Sequence, residues 1–160
     1  MQISSSLLSR QIRTECGIKS NISLGITALQ ISKNGLLAIV GTETGFLLRV
    51  DLKYAVKVSK LSKAPEIGLS GLVFIYQPQL GPVYSISLSP FNQNLFLAGC
   101  SDGSITIFDM RKVNPLDIWT PSTSESSSRA VLSLQWSPHY PTVFGCVCVD
   151  SNVYVFDLQV

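Results

Sequence analysis

Cysteine and histidine are few in this 160-residue sequence, which has four cysteines and one histidine. Cys146 and Cys148 are two positions apart, so in a β-strand both thiols would point to the same face. A structural zinc site needs four ligands, usually with two cysteines spaced across a turn, and the sequence contains a single histidine, His139. We therefore predict that Cys146 and Cys148 are reduced core thiols without a metal, and expect the same of Cys16 and Cys100.

The histidine and the one glycine-containing loop lack the surroundings that catalysis needs. His139 follows Trp136-Ser137-Pro138 in a predicted turn, with no nucleophile or carboxylate at a fixed spacing. A general base is the alternative, but a solvent-facing turn residue is favoured. The segment 99–103 leads into a strand, not a helix, and no Lys-Ser or Lys-Thr pair follows it. It therefore does not have the form of a phosphate-binding loop.

Four aspartates recur where turns and strands end: Asp102, Asp109, Asp150 and Asp157. Carboxylate pairs that perform acid–base chemistry need environments that differ, whereas repetition of one position favours a structural role. We therefore predict no catalytic residue, no cofactor site and no metal site.

A unit of three short strands positions these residues, and it is clearest between Gly81 and Met110. Alternation and β-branched or aromatic residues predict strands at 83–88, 95–99 and 104–108. The Ser89-Pro90 segment predicts the first turn. Asp102-Gly103 predicts a type I′ hairpin turn, in which both central residues have positive φ.

The unit recurs between Ala130 and Leu158, and more faintly between Gly25 and Leu52. From the turn serine to the closing aspartate the copies span 19, 20 and 20 positions, starting at Ser32, Ser89 and Ser137. A core of constant length with variable spacers is typical of a repeat array, and units of this size are typical of propeller blades. We expect the three serines to occupy equivalent corners of successive sheets.

The repeats resemble WD repeats, since Phe-Asp and Val-Asp pairs stand where that family has Trp-Asp. More closely, residues 81–158 resemble two blades of the dynein intermediate chains. The most specific pattern is Trp136-Ser137-Pro138 followed by Pro141 and Phe144. The segment 99–104 is most similar to the intermediate chains of the ciliary dynein of intraflagellar transport. The resemblance implies an all-β fold, a partial WD-repeat β-propeller of about three four-stranded antiparallel blades.

We expect blades at about 25–76, 81–119 and 130–160, loops at 53–71 and 120–129, and a tail or edge segment at 1–24. The Gly-His pair and the third-strand Trp of standard WD repeats are missing, so apolar burial is expected to replace their side-chain hydrogen bonds. Both phases of the first strands, including Tyr84 and Leu132, are expected to need apolar partners. Three blades would leave two exposed apolar faces, from which we expect the chain to be part of a longer propeller.

Composition excludes several classes of function. The chain is 46% hydrophobic and 14% charged, too apolar for disorder, and its net charge of +2 gives no basic face for nucleic acid. No apolar run is long enough to insert into a membrane, and residues 1–19 lack a secretion signal. The lysines of the spacer predict a solvated insertion, with a contact for an acidic partner as the alternative. The serine-rich segment 121–128 predicts a loop, with phosphorylation as the alternative.

The resemblance implies a non-catalytic scaffold that docks on the dynein heavy chain, in the cytoplasm, on the cytoskeleton and in the cilium. Further intermediate chains and light chains would bind regions outside this chain, and no small-molecule substrate is expected. A generic WD-repeat adaptor of another assembly is the alternative, and a small β-fold enzyme is a third, less favoured reading. Exposure of turns predicts a protein-interaction rim with these residues: Asn92, Gln93, Arg111, Lys112, His139 and Tyr140.

Overall fold

The structure, a computed structural model, describes residues 25–53, 72–120 and 130–159. Within them the chain forms eleven strands in three antiparallel sheets. The expected tail 1–24, nearly all of the spacer 53–71 and the loop 120–129 beyond Thr120 lie outside the described residues. In the described part, no helix is long and apolar enough to cross a membrane.

Each sheet is built from strands that are consecutive in the chain, and they pair in sequence order. Sheet 1 contains β1 (Ile26–Ile31), β2 (Leu37–Thr42), β3 (Leu47–Asp51) and β4 (Leu72–Ile75). Sheet 2 contains β5 (Val83–Leu88), β6 (Leu95–Cys100), β7 (Ile105–Asp109) and β8 (Asp117–Trp119). Sheet 3 contains β9 (Val131–Trp136), β10 (Val143–Cys148) and β11 (Val153–Asp157). This confirms the predicted all-β fold of a partial propeller.

The sheets pack face to face through two apolar cores. Between sheets 1 and 2, Tyr76 contacts Phe96 and Phe108, with ring centroids 5.0 and 5.4 Å apart. Between sheets 2 and 3, the ring of Trp119 lies 5.9 Å from that of Phe144, which in turn stacks on Phe156 of its own sheet at 5.0 Å. Strand β6 is buried along nearly its whole length because it contributes to both cores.

The three turn serines occupy equivalent corners, as the sequence predicts. The backbone N–H of Ser32, Ser89 and Ser137 donates to the carbonyl of Leu37, Leu95 and Val143, the first residue of each second strand. In the second and third copies the serine Oγ also accepts two backbone N–H groups within the turn. The repeat found in the sequence is therefore a repeat of hydrogen bonding.

The predicted type I′ turn at Asp102-Gly103 is wrong. Gly103 has φ of 88°, but Asp102 does not have positive φ. The N–H of Gly103 donates to Cys100 O and the N–H of Cys100 to Ser104 O, so the loop has three residues and ends in a left-handed one. Gly45 and Ser151 close the same turn in the other two copies. One left-handed residue suffices because, in a three-residue loop, a single residue with positive φ at the end lets the two strands pair with their usual twist.

The expectation that Tyr84 and Leu132 are covered is also wrong, because they are 41% and 50% exposed. The register of each first strand shifts at its second residue, so that Thr27, Tyr84 and Leu132 are the extra residue of a β-bulge. A bulge turns its extra side chain away from the alternation of the strand. Strict alternation therefore assigns these positions to the wrong face.

Hydrogen bonds also join the sheets, which corrects the expectation that apolar burial alone holds them. Leu134 N–H donates to Ser85 Oγ at 2.9 Å, and Trp136 N–H donates to Ser87 Oγ at 2.8 Å. Thr27 Oγ1 donates to the carbonyl of Val83 across the other interface. First strands approach closely enough for backbone contact, so small hydroxyl side chains satisfy buried backbone groups there.

The expectation of two exposed apolar end faces is correct for one face only. On the outward face of sheet 3, Val153 and Val155 are 70% and 72% exposed. On the outward face of sheet 1, Val40, Leu48 and Val50 are at most 5% exposed. These three form a cluster of their own, against which Phe46 and Ile75 pack.

Candidate protein-interaction surface

Four of the six predicted contact residues lie at one edge of sheet 2. Asn92 and Gln93 belong to the β5–β6 turn, and Arg111 and Lys112 follow β7. The two loops are joined because Met110 N–H donates to Asn94 O at 2.7 Å. All four side chains are exposed.

His139 and Tyr140 lie in the corresponding turn of sheet 3. Their backbone N–H groups donate to Ser137 Oγ, which holds both side chains outside the turn, and Tyr140 is 67% exposed. His139 is exposed, as the sequence predicts. The edge formed by the three serine turns and the ends of β3, β7 and β11 is called the serine-turn rim below. All six predicted residues belong to this rim, and their role in binding stays a prediction.

The four recurring aspartates have the predicted structural role. Each Oδ1 accepts the backbone N–H of the residue two positions later, at 2.9–3.1 Å. The pairs are Asp102 with Ser104, Asp109 with Arg111, Asp150 with Asn152 and Asp157 with Gln159. The carboxylates therefore fix turns, as this residue type commonly does.

Asp109 has a second partner in the Arg111 guanidinium. Arg111 Nε and Nη2 donate to the two carboxylate oxygens at 2.9 and 2.6 Å, a bidentate ion pair. These hydrogen bonds lower the pKa of Asp109 to about 2. The charge of Arg111 on the rim is thus compensated within the chain.

The described thiols lie in the apolar cores. Cys100, Cys146 and Cys148 are buried, and the Sγ atoms of Cys146 and Cys148 are 3.9 Å apart on one strand face. Burial raises the pKa of Cys100 and of Cys146 to about 12, so neither is a thiolate at neutral pH. Among the described residues no group of three or more His, Cys, Asp or Glu could hold a metal ion.

The sequence reasoning missed Arg49, which lies in the middle of β3. Its Nη1 donates to Met110 O at 2.6 Å, and its guanidinium carbon lies 5.2 Å from the centroid of the Phe74 ring. The buried Tyr76 hydroxyl donates to the same carbonyl, and burial raises the pKa of Tyr76 to about 12. An isolated arginine in a strand pattern is typical of a solvent-facing position, so no local signal identifies its neighbours.

Arg49 lines a groove of about 460 Å³ between sheets 1 and 2 at the serine-turn rim. Its walls come from the β1–β2 and β5–β6 turns and include Ile31, Lys33, Phe91 and Gln93. A second groove, of about 600 Å³, follows the first strands of the three sheets and is lined mainly by uncharged residues such as Gln30, Ser85 and Gln135. Gln93 is the predicted rim residue that lines the first groove.

Comparison with known families matches the repeat pattern. The family model described as WD domain, G-beta repeat matches residues 71–109 and 119–157. Each match begins at the fourth strand of one sheet and runs through the first three strands of the next. Matches of this form connect neighbouring sheets of a propeller.

Solved propellers are similar in fold. The β-propeller domain of Cps50 (Swd1) from Myceliophteria thermophila superposes with a TM-score of 0.65, covering 85% of this chain and 36% of that one at 12% identity. A chain of the Mitotic Checkpoint Complex gives the same TM-score at 16% identity, covering 86% of this chain and 35% of that one. At these identities the likeness shows the fold alone.

Curated relatives are dynein intermediate chains. Cytoplasmic dynein 2 intermediate chain 2 of Mus musculus is 34% identical over 144 residues, covering 88% of this chain and 26% of its own length. Cytoplasmic dynein 2 intermediate chain 1 of Homo sapiens is 39% identical over 123 residues, covering 75% of this chain and 10% of its own length. The chain thus spans about a quarter of the first relative and a tenth of the second. With three packed sheets and these relatives, the chain belongs to the WD-repeat β-propellers of the dynein intermediate chain family.

Proposed function

We propose that this chain is a non-catalytic scaffold that docks on a dynein heavy chain through its serine-turn rim. The observation that carries the proposal is the sequence similarity to cytoplasmic dynein 2 intermediate chains, which extends over 88% of the chain. The names of these relatives further support a place in the cytoplasm, on microtubules and in the cilium, with intraflagellar transport as the process.

Three features of the described residues fit a scaffold better than an enzyme. The recurring carboxylates are bonded within turns, the thiols are buried, with raised pKa values for Cys100 and Cys146, and His139 stands in an exposed turn. What the rim offers instead is exposed side chains with different chemistry on a fixed backbone: amides, cations and an aromatic hydroxyl. Residues of this kind carry much of the energy of protein–protein interfaces when they are desolvated.

The test is co-purification of the chain with the heavy-chain tail of cytoplasmic dynein 2. We expect a complex, and we expect the pair Arg111→Glu and Lys112→Glu, or Tyr140→Ala, to weaken it by tenfold or more. Leu80→Ala is the matched control, because Leu80 is 94% exposed and lies between β4 and β5, at the opposite edge of the sheets.

A complex that Leu80→Ala weakens, but the rim variants do not, would contradict docking by this rim. If affinity purification recovers other proteins and no heavy chain, the chain acts instead as a WD-repeat adaptor of another assembly.

A further inference from the structure

We infer that the groove between sheets 1 and 2 binds an acidic peptide segment of a partner protein, with a carboxylate on Arg49 and an apolar side chain against Ile31 and Phe91. The inference goes beyond the proposed function, because it concerns the chemistry of the ligand and holds whichever protein supplies the segment.

The charge of the groove favours an anionic ligand. Arg49 and Lys33 line it, and no Asp or Glu does. The aspartates that end β3 and β7 at this rim are Asp51, whose Oδ1 accepts the N–H of Lys53, and Asp109, which is paired with Arg111. The described residues therefore leave a net positive groove that an anionic group would complement.

The guanidinium of Arg49 has more N–H donors than its neighbours among the described residues accept. A guanidinium has five N–H donors, and within the described residues those of Arg49 meet the carbonyl of Met110 and the hydroxyl of Tyr76. Its Nε is buried and has no hydrogen-bond partner within the described residues. Arg111, by contrast, has both oxygens of a carboxylate. Met110 and Phe74 hold Arg49 in place, and its guanidinium lines the groove, where the carboxylate of a bound segment could accept further N–H bonds.

An apolar wall stands beside this charge. Ile31 is 49% exposed and Phe91 is 48% exposed, and Leu88 and Pro90 complete the wall. Binding pockets typically combine an apolar lining with a few polar or charged groups that point into them. The volume of this groove, about 460 Å³, is within the usual range of such pockets. The amides of Gln93 and Asn94 line the same groove and could bond the backbone of an extended segment.

The probe is a random seven-residue peptide library displayed on phage and selected against the 160-residue chain. We expect the selected sequences to be enriched in Asp or Glu next to a large apolar residue. An amide in place of that carboxylate should weaken the best peptide by about ten- to a hundredfold, because a charge-assisted hydrogen bond contributes that much to affinity.

The protein variants test the residues. Arg49→Gln should weaken the selected peptide by about ten- to a hundredfold, and Arg49→Lys should restore part of the binding. Phe91→Ala, which changes a half-exposed side chain outside the cores, should weaken the peptide by about tenfold while the melting temperature stays the same. Lys53→Gln is the control: it removes an exposed cation that follows β3 but does not line the groove, and binding should not change.

Selection without acidic enrichment, or binding that neither Phe91→Ala nor Arg49→Gln alters, overturns the inference. If Arg49→Gln does not fold, the peptide amide and Phe91→Ala decide. The outcome of the heavy-chain experiment does not affect this test, because the peptides are random and are not taken from a dynein heavy chain.

Discussion

Two equivalent sheet faces carry different residues at one position of their second strand. One is the face of sheet 2 that packs on sheet 3, and the other is the outward face of sheet 3, on which no described residue of another sheet packs. At Gly99 in β6, an added Cβ would lie 2.6 Å from Val131 Cγ1 of sheet 3. At the equivalent Gly41 in β2, it would lie 2.7 Å from Val83 Cγ1 of sheet 2. The third copy has Val147 there, and it is 39% exposed.

The difference shows what the glycines do. They have no special backbone conformation, since neither has positive φ, and they serve only to admit the first valine of the next sheet. A sheet that approached sheet 3 in the same way would meet the Val147 side chain where its neighbours meet none. At each of the two inner interfaces, a glycine of one sheet leaves room for a valine of the next sheet. The outward face of sheet 3 has a valine at the glycine position and therefore leaves no such room.

The largest loss of stability should come from removing a buried ring from the core between sheets 2 and 3. Phe144 is 1% exposed and stacks on Phe156, so Phe144→Ala should lower the free energy of unfolding by about 3–5 kcal/mol. Tyr140→Ala removes an exposed aromatic ring of the same sheet and should change it by less than about 0.5 kcal/mol. Urea denaturation measures both, and equal losses would contradict the contrast between buried and exposed positions.

Adding a larger side chain to the interface between sheets 2 and 3 should lower the free energy of unfolding somewhat less. Gly99→Val places three carbons where Val131 already lies, so we expect a loss of about 3 kcal/mol. Val147→Ala, the change at the equivalent position of the outward face, should cost less than about 1 kcal/mol. Denaturation curves of the two variants decide, and a Gly99→Val protein as stable as the parent would show that the sheets separate easily.

A gain of stability, smaller than these losses, is expected from a substitution in the turn between the second and third strands of sheet 3. Gly45 and Gly103 close it in the first two copies, whereas Ser151 has φ of 65° in the third. A left-handed conformation costs a residue with a Cβ about 1 kcal/mol relative to glycine. Ser151→Gly should therefore raise the free energy of unfolding by about 1 kcal/mol, and Gly103→Ser should lower it by a similar amount. Thermal unfolding of both variants measures this, and a loss of stability in Ser151→Gly would refute it.

The smallest effect concerns the closing aspartates. Asp109 has Arg111 two residues on, whereas Asp157 has Gln159, so Arg111→Gln gives the second copy the residue of the third. The folded-state pKa of Asp109 is about 2, below its unfolded value, so its contribution is complete above about pH 4 and is lost as the pH falls towards 2. Arg111→Gln should flatten this decline slightly. Stability measured from pH 5 to pH 2 tests it, and identical pH profiles would show that the ion pair contributes nothing.

Local patterns predicted much of the fold and part of the rim. The Ser-Pro turn and the closing aspartate depend on side chains that bond their own neighbourhood, so Ser89 and Asp109 could be assigned from sequence alone. The bulges at Tyr84 and Leu132 could not, because a bulge is a property of a pair of strands and leaves alternation looking intact. The turn at Asp102 was misassigned because the same residues suit two- and three-residue loops.

The chain by itself fixed the period, the strands and the corners of the three sheets, because turn chemistry and apolar alternation act within a few residues. Only the packed sheets decided that Gly41 and Gly99 lie beneath a neighbouring valine, and that Arg49 bonds Met110 in a groove between two turns. These contacts join residues from different sheets, and no short-range preference specifies how two sheets approach each other.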